Sequence, residues 1–345
     1  MKRAYFLYPI VIFFVVGLYI LTQEASGLRQ FTVDTENDSS VVSFEINYFE
    51  ERERLLEDIH TYGAQKAYDI FKEDTKEFRE PQVQHLISHV MGELLYDTEG
   101  VDGLVVCDAS FSSGCYHTFF GKSIAEEGEQ IISEFSRICV DMYGPLEDKC
   151  RHGIGHGILV FLGAEELSEA LILCDRFVQR DIFGCTSGVF MEYFFMEYFT
   201  PTSDTESYNK VVQELFNENE PYALCSSVLE HFQESCYYEI VNLWNIVFRQ
   251  DYEKIKDLCT GIINSNSKRE LCFLGLGGII VSSYNFNINR IITFCESIRV
   301  SGASDICKVG ASWHLYILDS QEYKDGSDRI CKTLDRYPDK YVCEE

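Results

Sequence analysis

Positive charge is scarce in this chain: Lys and Arg number 29 against 56 Asp and Glu, for a formal net charge of −27. A surface of that sign repels phosphate backbones, which sets nucleic acid aside as a partner. It reads most simply as a solvated acidic surface. Several catalytic signatures are missing as well. There is no Gly-x-Ser-x-Gly elbow, no Walker phosphate loop, no Gly-x-Gly-x-x-Gly and no His-Glu-x-x-His, so the familiar hydrolase, nucleotide and zinc-protease signatures are excluded. No cysteine is left over, because the fourteen fall into seven close pairs, which leaves no thiol for catalysis. Disorder is excluded by a 46% hydrophobic content rich in Tyr and Phe.

The first apolar run spans 4–21 behind Met1-Lys2-Arg3 and is followed by no clean small-x-small cleavage pair. Its length exceeds a usual signal-peptide core and just reaches a bilayer span. The expectation is an uncleaved signal anchor over 1–24, single-pass in the cell membrane, with the basic residues inside and the rest of the chain extracytoplasmic. Fourteen cysteines agree with an oxidising compartment. Residues 25–44, with the sequon Asn37-Asp38-Ser39, read as a polar linker, and 45–345 as the folded part.

The pairs are Cys107/Cys115, Cys139/Cys150, Cys174/Cys185, Cys225/Cys236, Cys259/Cys272, Cys295/Cys307 and Cys331/Cys343. Their second members recur at 35, 35, 51, 36, 35 and 36 residues, which is the size of a helix-turn-helix unit. The first cysteine ends an amphipathic stretch and the second opens an apolar one, often as Cys-x-x-Gly, as at Cys150, Cys185, Cys272 and Cys307. The pattern predicts an all-α fold of αα-hairpins, one disulfide per hairpin. The apolar helices form an inner layer and the amphipathic ones an outer layer. A curled α-solenoid and a closed α/α toroid both fit. The 51-residue interval carries an insertion near 199–220. A further unit without cysteines is expected upstream, with Leu55–Phe71 as its outer helix and the stretch from Pro81 as its inner one.

Repeat length and stapling resemble the cysteine-rich Sel1-like repeat proteins over 107–343. The resemblance does not extend to their Ala/Gly consensus or their shorter cysteine spacing. It implies an α-solenoid and a protein or peptide ligand.

Only eight histidines occur, and five fall in register. His152 and His156 stand two and six residues after Cys150, His117 stands two after Cys115, and His85 and His89 form a second i,i+4 pair. That spacing lets two imidazoles reach one ion from a helix. In the next unit the matching positions hold Ser187 and Met191, with Glu192 adjacent. The five histidines are therefore candidate ligands of a divalent transition metal (Zn, Fe or Mn). Glu192 is a candidate catalytic base, and Glu93 and Asp97 are lesser ones. Gly153, Gly155 and Gly157 leave room beside the pair for a ligand or a close backbone. His60, His231 and His314 are isolated and read as structural or exposed. Two functions follow: an extracytoplasmic binding scaffold, or a metal-binding protein or metal-dependent enzyme whose active region lies between 81 and 197.

Overall fold

The computed structural model describes residues 28–33, 42–75, 81–108, 110–144, 147–178, 182–196, 216–318, 321–335 and 343. The expected signal anchor and most of the expected insertion lie outside them. Among the described residues no helix is long and apolar enough to cross a membrane. The chain divides into two compact units, 1–77 and 78–345.

In the first unit, β1 (Leu28–Val33) and β2 (Val42–Asn47) pair antiparallel. This corrects the reading of 25–44 as linker. The register sets Phe31 against Phe44 and Val33 against Val42. Helix α1 (Tyr48–Tyr62) and helix α2 (Ala64–Thr75) follow. The outer helix expected over 55–71 is broken at Gly63, whose φ of +79° ends α1 in the left-handed region. Leu55 and Ile59 of α1 and Ala67, Tyr68 and Phe71 of α2 are buried.

Among the described residues of the second unit the regular elements are all helices. Its elements are α3 (Pro81–Glu99), α4 (Ser110–Glu127), α5 (Ile131–Tyr143), α6 (Asp148–Leu162), α7 (Leu167–Phe177), α8 (Cys185–Met196), α9 (Ala223–Ser227), α10 (Gln233–Val247), α11 (Tyr252–Gly261), α12 (Asn266–Ser283), α13 (Ile288–Glu296), α14 (Ala303–Ile317) and α15 (Gln321–Cys331). Short 3-10 turns stand at 100–106, 164–166 and 230–232.

Seven of these helices form a continuous row in which each packs on the next: α3, α4, α6, α8, α10, α12 and α14. The helices between them flank the row. The burial pattern follows the amphipathicity expected. Helix α5 buries Ile132, Phe135, Ser136 and Cys139 on one side. In α6, Cys150, Arg151 and every residue from Gly153 to Leu159 are buried.

All seven expected disulfides are present, and no described cysteine is free. Each ties the end of a flanking element to the start of its row helix, except Cys331–Cys343, whose second member lies beyond the last helix. Sequence separations of 8 to 13 residues correspond to about 2.5–2.9 kcal/mol each from restriction of the unfolded chain.

Glycine decides how closely the row helices approach. A Cβ on Gly155 of α6 would meet the Cys185 carbonyl of α8 at 2.0 Å, and one on Gly188 of α8 would meet the His152 carbonyl of α6 at 1.9 Å. The two backbones are in reciprocal contact, which no larger residue permits. The space beside the α6 histidines is thus filled by backbone, the second of the two uses expected for the interleaved glycines.

Candidate metal centre

Three consecutive row helices supply the five histidines: His85 and His89 from α3, His117 from α4, and His152 and His156 from α6. Their ring nitrogens fall into two overlapping groups, His85/His89/His117 and His117/His152/His156. In each group one ligand atom per residue lies within 4.8 Å of the others. His117 is central, its ring 4.9 Å from His85, 5.3 Å from His89, 6.4 Å from His152 and 3.9 Å from His156, on which it stacks. All five expected ligands are therefore brought together.

The hydrogen bonds assign the nitrogens. His85 Nδ1 donates to the Phe111 carbonyl at 2.8 Å. Phe111 has φ +53°, a left-handed backbone that costs a non-glycine residue about 1 kcal/mol. His156 Nδ1 donates to Glu192 Oε2 at 2.6 Å. His152 Nδ1 lies 3.3 Å from Ser187 Oγ. The Phe183 carbonyl accepts from the same ring; because Nε2 is turned to His156, Nδ1 is the nitrogen that donates. Three rings thus donate at Nδ1 to an acceptor behind them; in His85 and His152, which burial holds neutral, this leaves Nε2 as a lone pair facing the cluster.

The Nε2 atoms meet. His156 Nε2 and His152 Nε2 are 2.9 Å apart, and His85 Nε2 and His89 Nε2 are 3.1 Å apart. With Nδ1 of both rings engaged behind them, the two Nε2 atoms of the first pair can approach this closely only by sharing a cation, either a proton on His156 opposite the Glu192 carboxylate or a metal ion. His117 Nε2 is buried with no hydrogen-bond partner, an arrangement that costs about 1–3 kcal/mol if nothing answers it. Burial and the neighbouring imidazoles hold His117 and His152 well below the ordinary imidazole pKa, and burial lowers His85. These rings are neutral, as metal ligands must be. A set of inward-turned neutral Nε2 atoms, each anchored from behind, fits a transition metal ion.

A second carboxyl stands behind Ser187. The Ser187 hydroxyl donates to Glu239 Oε1 on α10, and Asn242 Nδ2 donates to Glu239 Oε2 at 2.7 Å. Glu239 is 2% exposed, and burial pushes its pKa up to about 8. Sequence reasoning passed over this residue. The available signal was its position: Glu239 stands three residues after Cys236, where four other units carry the glycine of Cys-x-x-Gly.

The lesser candidates are elsewhere. Glu93 and Asp97 pair with Lys122. His60 is exposed. His231 lies 3.7 Å from Asp175 and packs on Phe232. His314 is half-buried away from the five, and desolvation lowers its pKa to about 4.

No protein-family model, curated protein or solved structure matches this chain.

Proposed function

We propose that this is a metal-binding protein that holds a divalent transition ion on the Nε2 atoms of His117, His152 and His156, with His85 and His89 as the adjoining donors. The single observation that carries the reading is the 2.9 Å approach of the His152 and His156 Nε2 atoms, which calls for a shared cation between two rings that are both engaged at Nδ1. Donors that are all imidazole favour zinc or iron over manganese. Glu192 takes an orienting role here, in place of the proton-accepting one expected: its Oε2 receives the His156 Nδ1 proton and steadies the ring.

The surroundings are proposed to be extracytoplasmic, the chain anchored through residues 1–24, in keeping with seven disulfides and no free described cysteine. For the architecture we favour a curled solenoid over a closed ring. Its support is the contact of Phe183, at the start of α8, with Trp313 of α14, whose rings lie 5.0 Å apart although two row helices, α10 and α12, come between. A helical, disulfide-rich chain is also compatible with the binding-scaffold reading, in which a protein or peptide ligand occupies the row. The close Nε2 contact gives the metal reading the stronger claim.

Elemental analysis of the purified chain tests it. Stoichiometric zinc or iron is expected in the wild type and absent from His152→Ala/His156→Ala. Wild-type protein that is metal-free and takes up no added ion refutes the reading.

A further inference from the structure

We propose that Glu239, acting through Ser187, is the positioning residue of His152 and the buried counter-charge of the loaded metal centre. This rests on the metal reading above.

A chain of contacts links the two residues. Ser187 Oγ lies 3.3 Å from His152 Nδ1 and donates its own proton to Glu239 Oε1, while Asn242 fixes the other carboxyl oxygen at 2.7 Å. The serine can accept from Nδ1 only while its hydroxyl points to the carboxyl. Together with the Phe183 carbonyl, which accepts from the same nitrogen, Glu239 thereby reinforces the tautomer in which His152 Nε2 is free for the ion. His156 has a carboxylate directly behind it in Glu192. His152 has one too, set back by the length of a serine. The centre is backed by a carboxyl group on each ring of the α6 pair.

Glu239 also lacks a reason to be there if no cation comes. It is buried, and no ion pair involving it occurs among the described residues. Apart from burial, only Ser187 and Asn242 act on its ionisation. No charged group of α6, α8, α10 or α12 contributes. A buried carboxyl without a cation is costly as an anion and stays protonated at neutral pH. The glycine that other units place here would pack the helices more closely. A carboxyl at this position gains its partner only when an ion charges the histidine cluster.

Loading then has a defined proton balance. At pH 7 the Glu239 O–H bond breaks, the proton leaves for solvent and no electrons move. The carboxylate accepts from Ser187 and Asn242, and one negative charge is set against the ion.

The test is zinc titration of the full chain at pH 7, with a competing chelator for affinity and a pH indicator for released protons. Glu239→Gln keeps the shape and removes the charge. It is expected to bind zinc about 10–100-fold more weakly and to release one proton fewer per ion. The unloaded variant should melt no lower than wild type, a readout that a merely structural residue would fail. Ser187→Ala, which cuts the chain and leaves the carboxyl in place, should lose the same proton and should report if the glutamine variant does not fold. Unchanged affinity and proton count in these variants overturns the proposal while leaving the metal centre standing. A wild type that binds neither zinc nor iron removes the centre itself.

Discussion

Removing the staple at the head of α6 should damage the fold and the metal site together, whereas removing a distant staple should damage only the fold. Cys139–Cys150 closes an 11-residue separation, for which restriction of the unfolded chain amounts to about 2.8 kcal/mol. Cys259–Cys272 closes 13 residues, or about 2.9 kcal/mol. The two are matched as contributors to stability and differ in place. Cys150 stands two residues before His152 and six before His156 on the same helix, while Cys272 lies in the second turn of α12, which carries none of the five histidines. In Cys139→Ala/Cys150→Ala the first turn of α6 is free to fray, and the His152 ring with it. The expected result is a loss of about 2.8 kcal/mol in urea unfolding, with zinc affinity down about tenfold, equivalent to about 1.4 kcal/mol. Cys259→Ala/Cys272→Ala should lose as much stability and keep its zinc affinity within about twofold. Equal losses of affinity in the two variants would show that the staples act on the site only through global stability. No loss in either would show that α6 needs no staple to present its rings.

Two further outcomes follow from the same geometry. Gly188→Ala sets a methyl group 1.9 Å from the His152 carbonyl. It should cost about 1–3 kcal/mol by overpacking and abolish zinc uptake, as seen by unfolding and by metal content; a folded variant that still binds zinc would refute the close approach. Acid should also destabilise the unloaded protein. His85, His117, His152 and His314 all have lowered folded-state pKa values, so below about pH 6.5 the unfolded chain takes up protons that the folded chain refuses. Stability then falls by up to about 1.4 kcal/mol per pH unit per group. Glu239, raised to about 8, has the opposite sign: its contribution is lost as pH rises from about 4.5 to 8. Urea midpoints at pH 7 and pH 5 should show the histidines prevailing, and equal midpoints would contradict their burial.

The cysteines made most of the fold legible, because an interval of 35 residues places every pair at the same point of a hairpin and so aligns the units. Measured from that point, His117 and His152 share a position, and the i,i+4 rule adds His156; the common face was readable from spacing, while convergence of the rings depended on how strongly the row curves. Residues 28–47 were not, since two six-residue strands separated by a polar stretch carry too few apolar positions to stand out from a linker. The break at Gly63 was hidden because the amphipathic period of α1 and α2 runs through it. The partners of the imidazoles were hidden for another reason. Phe111 and Phe183 act through backbone carbonyls, which any residue type supplies. Glu239 acts across a helix pair, from a unit where the chain's own pattern leads one to expect glycine.

The arrangement has a consequence for how stability is distributed. Two Nε2 atoms at 2.9 Å that need a shared cation, a buried carboxyl without one and an unpartnered His117 Nε2 all disfavour the unloaded fold. Something must hold the rings against that tendency, and the reciprocal glycine contact between α6 and α8 together with the disulfides at Cys150 and Cys185 does so on both helices that carry the α6 pair and its partners Ser187 and Glu192. Rigidity of this kind is what a binding site needs from its scaffold, since donors ordered in advance lose less freedom when the ion arrives. The staples nearest the histidines therefore have two effects that cannot be separated by stability alone: they restrict the unfolded chain, and they keep an unfavourable cluster assembled until a cation makes it favourable.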